Sequence, residues 1–214
     1  MIIALIVVAA VVVVLCLALL VARHRVLGIS LPKSRGSLTL AGLTAPVTVA
    51  RDRWGVPHVV ATSMEDAAFA MGVAHAQDRL WQMEVTRRVA TGRISEFVGT
   101  DGVNIDRFIR RVGLHRVARD EELRLGPEPR RMLKAYAAGV NAIATSGRPL
   151  PLEYRLLGVT PEPWEPMPSL AALTLLALGL RLTRAAQLQR PQLPRAYTPH
   201  PTARPPSGSP RAPP

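Results

Sequence analysis

One cysteine, Cys16, in 214 residues excludes an intramolecular disulfide framework and any zinc site built on paired cysteines. Aromatic side chains are scarce, at 4% of the chain, yet mean hydropathy is positive, so one segment inflates the apolar fraction. Lysine is nearly missing, 2 residues against 25 arginines. Acidic residues are missing from both ends: none precedes Asp52 and none follows Glu165. No Gly-x-Ser-x-Gly elbow and no internal repeat is present. The formal net charge of +12 therefore lies at the termini, and residues 52–180 carry 16 basic against 15 acidic side chains. A nucleic-acid binder concentrates positive charge on its folded face, so the near-neutral body argues against that class.

The apolar segment is Ile2 to Ala22, 21 residues without a charge, followed by Arg23-His24-Arg25. As a helix it spans about 30 Å, the thickness of a bilayer's hydrocarbon core. It is longer than a signal-peptide core and has no Lys or Arg before it, which favours an uncleaved anchor over residues 1–25. The positive-inside tendency would place Arg23 and Arg25 in the cytoplasm. Cys16 follows Leu15 and reads as apolar filler rather than a lipidation site. Residues 26–36 read as a linker.

At the other end, residues 191–214 hold nine prolines and no acid. Such a stretch cannot bury enough apolar surface to offset its ordering entropy, so 183–214 is expected to be a disordered Pro/Arg-rich tail. The arginine excess fits a GC-rich coding sequence, and a frameshift is one origin for this tail. A proline-rich ligand segment is the other.

Between these ends, residues 37–61 alternate in strand fashion. Leu38 and Leu40 flank Thr39, Val47 and Val49 flank Thr48, and Val56 to Val60 follows a turn at Asp52-Arg53-Trp54-Gly55. That predicts a hairpin, with Gly55 supplying a positive φ. Ser63 with Asp66 reads as a capping box opening a helix through Ala70. A second helix is expected from Asp78 through Arg88, ending near Gly92, with others at 104–112, 128–145 and 169–182. Pro149 to Pro168 reads as a connection.

Several polar residues invite a chemical reading. His58 and His75 have no His or Glu partner at i+3 or i+4, so structural histidines are the simpler assignment. Glu84 and Arg88 stand at i,i+4, and with Asp78, Arg79 and Arg87 suggest an ion-pair network between helix and hairpin rather than acid–base work. Arg51-Asp52 is expected to fix the hairpin turn, and Trp54 to pack in the core, with a cation–π contact to a nearby arginine as the alternative. Asp120-Glu121-Glu122 reads as a solvated helix face.

The ordered blocks Val47–Val59, Asp66–Gly72, Ala74–Glu84, Arg87-Arg88, Gly92–Glu96, Asp106-Arg107-Phe108, Tyr136–Ala142 and Pro163-Trp164-Glu165-Pro166 together resemble the penicillin acylase (penicillin amidase) family. The resemblance covers roughly residues 37–180. It implies an α+β fold: a mostly helical α-chain fragment with an N-terminal hairpin, taken from an αββα N-terminal nucleophile hydrolase. In that family a precursor cuts itself into a small α chain and a large β chain. The β chain's first serine attacks the amide with its own α-amine as base, and an Asn with backbone N–H groups stabilises the oxyanion. The implied substrates are linear amides such as β-lactam side chains and N-acyl-homoserine lactones.

The resemblance also implies which parts lie outside this chain. Neither Gly36-Ser37 nor Gly208-Ser209 matches a β-chain start. The family's α chain contributes pocket side chains near Ala177 to Arg181 and a calcium-binding Glu near Gln187, where this sequence has no acid. No catalytic, cofactor or metal residue is therefore carried over. The expected partners are a β chain of the same precursor and a membrane through residues 2–22, not nucleic acid. The expected chain is a truncated, inactive α-chain portion, membrane-anchored with its body periplasmic or extracellular. A membrane-anchored interaction protein using its tail as a ligand is the alternative reading.

Overall fold

The computed structural model describes residues 2–23 and 35–189, which divide after Leu176 into two units. Most of the expected linker and the tail from residue 190 onward lie outside the described residues. α1 runs from Ile2 to Arg23, 22 residues that are Val, Leu, Ile or Ala apart from Cys16 and Arg23. Its stretch Val11–Val21 is solvent-exposed.

The body opens with β1 (Thr48–Arg51) and β2 (Pro57–Val60), antiparallel with Thr48 opposite Val60 and Arg51 opposite Pro57. Residues 37–47 are not a strand, although their side chains alternate. The hairpin turn forms as expected. Gly55 has φ +80, its N–H donates to the Asp52 carbonyl at 3.0 Å, and Asp52 Oδ1 accepts from Trp54 N at 2.8 Å and Val56 N at 2.9 Å. Trp54 corrects the core expectation. It is 76% exposed at the hairpin tip, and the Arg53 guanidinium lies 4.9 Å from its ring centroid.

α2 (Met64–Thr91) joins into one 28-residue element what the sequence suggests as two helices. The break survives as a kink, with Arg79 at φ −143, ψ 25. Ser63 Oγ accepts from Asp66 N at 3.0 Å and caps the first turn. The Asp66 carboxylate leaves its own cap and reaches instead to Thr44, accepting from its N at 2.9 Å and its Oγ1 at 2.5 Å. Gly92, at φ +68, closes α2 in the left-handed conformation that spares a glycine any Cβ clash.

α3 (Ser95–Val98) and a 3₁₀ turn (Gly99–Gly102) lead into α4 (Val103–Val112) and α5 (Leu114–Arg124). α6 spans Pro127–Ala144. The proline-rich connection contains a further short helix, α7 (Leu152–Leu157), and α8 begins at Pro166 and continues to Gln189. Pro127 and Pro166 open their helices as first residues, where the absent N–H costs nothing.

Two apolar clusters hold the first unit. Ala76 and Leu80 of α2 pack with Ala137 and Val140 of α6, Tyr154 of α7 and Trp164. Ala90, Ala118, Leu170 and Ala171 form the other. α2 and α6 cross at Gly72 and Gly139, close enough for backbone contact. In the second unit α8 continues with Leu180 and Leu182 exposed. By length and composition Pro166–Arg184 could cross a membrane, although a core helix would pass the same test.

Candidate functional site

The charged residues of α2 converge where its last turns meet α3 and the segment before α8. Glu84, Arg87 and Arg88 are all buried. Glu84 Oε2 accepts from Arg87 Nη2 at 2.5 Å and Glu84 Oε1 from Arg88 Nε at 2.8 Å, so one carboxylate joins two guanidinium groups. Arg88 continues to Glu162 Oε1 at 2.9 Å and pairs with Glu96. Arg93 donates to Glu162 at 2.7 and 3.0 Å and to Glu96 at 2.6 and 3.0 Å. The guanidinium planes also cover aromatic rings, Arg87 over Trp164 at 5.4 Å and Arg88 over Phe97 at 4.6 Å.

Beside this network lies a cleft of about 690 Å³ whose lining includes Arg87, Arg93, Arg110, His115, Arg116 and Glu162. The Arg93 side chain, with further pull from Arg88 and Arg87, holds the Glu162 carboxyl down to about 2. Glu162 is therefore ionised throughout the physiological range and offers no proton for general acid work. The cleft's one hydroxyl, Thr91 Oγ1, donates to the Arg87 carbonyl at 2.8 Å. The network neutralises and fixes charge: Glu84, Glu96 and Glu162 are each paired with arginine.

The other polar residues singled out in the sequence are also engaged. Arg51 donates to both Asp78 oxygens, at 2.8 and 3.0 Å, and ties the hairpin to α2. The helix–hairpin network is thus made by Arg51 and Asp78, whereas Glu84, Arg87 and Arg88 turn toward Glu162 and Glu96. His75 Nδ1 lies 3.0 Å from Tyr136 Oη on α6, and burial together with the nearby Arg79 lowers the imidazole's proton affinity. His58 Nε2 stands 3.6 Å from Asp52. Asp120 and Glu121 are exposed on α5. Among the described residues no group of three or more His, Cys, Asp or Glu could hold a metal ion. α8 carries no carboxylate at all, so it does not offer the ligand that the resemblance places there.

Sequence reasoning missed Glu162 and Arg93, the hub's outer half, because 69 residues separate them and no local pattern pairs them. It also missed how the recognisable blocks are joined. Asn141 clasps the Trp164 backbone in both directions, Nδ2 to O at 2.9 Å and Oδ1 from N at 2.7 Å. Asp106 accepts from Ile94 N at 2.8 Å, Ser95 N at 2.9 Å and Ser95 Oγ at 2.5 Å. Burial raises the Asp106 carboxyl's pKa, but these hydrogen bonds and Arg110 outweigh it and hold it low. The polar members of the ordered blocks thus fasten one block to another.

Comparison with known proteins agrees with this geometry. The penicillin amidase profile matches residues 46–209, past residue 181 where the sequence resemblance fades. Penicillin acylase 2 proenzyme of Pseudomonas sp. (strain SE83) is 52% identical over 149 residues, 70% of this chain and 19% of that protein. Acyl-homoserine lactone acylase QuiP of Pseudomonas aeruginosa is 38% identical over 152 residues, 71% of this chain and 18% of that one. The chain therefore spans about a fifth of the length of the curated relatives it matches. A solved structure of a thermostable penicillin G acylase from Alcaligenes faecalis superimposes with a TM-score of 0.57 at 28% identity, over 76% of this chain and 98% of the solved one. A hairpin and helical body joined through these blocks, and a profile match over most of its length, show that the chain belongs to the penicillin amidase family.

Proposed function

We propose that this chain is the α-chain portion of an N-terminal nucleophile amidase and does no chemistry by itself. Its work is to pack against a β chain of the same precursor, whose leading serine attacks the amide. One observation carries the reading: the segment that is 19% of a proenzyme also matches 98% of one solved penicillin G acylase chain, so the matched region corresponds to a discrete small chain. The hub supports it, since every carboxylate in it is already neutralised by arginine.

The substrates of the assembled enzyme are linear amides, in the range from β-lactam side chains to N-acyl-homoserine lactones; the relatives' names, penicillin acylase and acyl-homoserine lactone acylase, support that range. We assign no catalytic, cofactor or metal residue to this chain, and no calcium ligand to α8. α1 anchors it in a membrane, a reading supported by the 21 uncharged residues Ile2–Ala22 on one continuous helix; the family resemblance, against the positive-inside tendency of Arg23 and Arg25, puts the body on the periplasmic or extracellular side.

The test is assembly. The full chain is co-expressed with the downstream segment of penicillin acylase 2 proenzyme and purified through a tag on one partner. A one-to-one complex is expected by native mass spectrometry. Recovery of either partner only alone would overturn the reading.

A further inference from the structure

α4 presents an apolar stripe that its own fold leaves uncovered. Ile105, Phe108 and Val112 are 48%, 50% and 39% exposed, at spacings of three and four residues. At 3.6 residues per turn they fall within an arc of about 60°. The adjacent arc is buried: Ile109 packs inward and the Asp106 carboxylate is consumed by Ile94 and Ser95. On the opposite flank stand Arg107 and Arg111, one turn apart and exposed. Asp106 is the only acid on α4, so the exposed surface of this helix is apolar and positive.

We infer that this stripe seats the body on the surface of an anionic phospholipid bilayer, with Phe108, Ile105 and Val112 entering the interface and Arg107 and Arg111 against lipid phosphates. Two features favour this occupant over a protein. The charge is complementary to anionic headgroups, which attract each nearby arginine. The chain is also tethered: eleven residues separate Arg23, the end of α1, from Arg35. However those residues are arranged, they span no more than about 40 Å. A body held that close meets the bilayer at high effective concentration, so a weak surface suffices. The inference rests on α1 being the membrane anchor proposed above.

The experiment uses the full chain with Cys16→Ser and Asn104→Cys, carrying a polarity-sensitive fluorophore beside the stripe. It is reconstituted in nanodiscs of phosphatidylcholine alone, or of equimolar phosphatidylcholine and phosphatidylglycerol, each with nitroxide-headgroup lipid. Quenching is expected in the anionic discs only, and not for a fluorophore on exposed Glu128→Cys of α6. Adding Arg107→Ala and Arg111→Ala is expected to lower the docked-to-free ratio about 30-fold, at ~1 kcal/mol per arginine. These side chains are exposed, so the variants leave the core intact. If the chain stays in the disc while the Asn104→Cys probe remains unquenched, docking is wrong and the anchor stands. A blue shift without lipid quenching means the stripe has met a protein surface, and the membrane assignment falls. If the chain does not enter discs at all, the anchor reading fails and this inference with it.

Discussion

A β-carbon on Gly139 would lie 2.0 Å from the carbonyl oxygen of Phe69, so at this point α6 rests directly on the backbone of α2. Gly72 meets the carbonyl of Tyr136 in the same way, at 2.2 Å. This crossing sets the distance between α2 and α6 and places Ala76, Leu80, Ala137 and Val140 in one cluster.

Gly139→Ala forces those backbones apart, and we expect a loss of about 3 kcal/mol, at the upper end of overpacking costs. Gly179 on α8 has open space around it, so Gly179→Ala is expected to gain about 0.5–1 kcal/mol through helix propensity. Guanidinium unfolding of the full chain in detergent reads both. Equal effects at the two positions would contradict the tight crossing.

The buried carboxylate of Glu84 holds Arg87 and Arg88 together. Glu84→Gln removes the one buried carboxylate shared by Arg87 and Arg88 and leaves them only the partly exposed Glu162 and Glu96, so a loss of about 3 kcal/mol is expected, the low end for breaking a buried pair from one side. Lys134→Ala, on α6 and outside the network, serves as the control and is expected to stay within about 0.5 kcal/mol of the parent. Similar denaturation midpoints for parent and Glu84→Gln would show that the hub is not needed for the fold.

Acid stability follows from Glu162. Its carboxyl is lowered from 4.5 to about 2 by Arg93, Arg88 and Arg87. A depressed carboxyl contributes stability that is complete above its unfolded value and is lost as pH falls through the folded one. The parent is therefore expected to lose stability between pH 4.5 and about 2, and Glu162→Gln to flatten the profile in that window. Glu162 is partly exposed, so added salt weakens the effect. Parallel acid-unfolding profiles for the two chains would refute this.

How much was legible in the sequence depended on the range of each interaction. The Ser63 cap, the Gly55 turn and the helices near 103–112 and 127–144 rest on neighbours within a few residues, and they form as the pattern predicts. The expected strand at 38–40 fails because alternation alone supplies no partner; among the described residues only β1 and β2 pair. Trp54 reads as core by residue type, but the turn geometry sets it outside. α7 was hidden because its flanking prolines resemble a connection, while the Pro151 carbonyl in fact accepts from Tyr154 N at 3.2 Å and starts the helix. In the candidate site, the Glu84–Arg88 spacing was readable on one helix, whereas Glu162 reaches it from 74 residues away. The blocks of family resemblance were visible in order, but not the hydrogen bonds that fasten them.

As proposed above, this chain completes an amidase whose reacting groups lie in another segment. The most direct measurement is hydrolysis of an N-acyl amide and an N-acyl-homoserine lactone by the full chain alone, by the downstream segment of penicillin acylase 2 proenzyme alone, and by the two co-expressed. We expect activity in the co-expressed sample only, abolished when the serine that begins the mature β chain is replaced by alanine. Hydrolysis by this chain alone, or a co-expressed pair that assembles without hydrolysing either substrate, would contradict it.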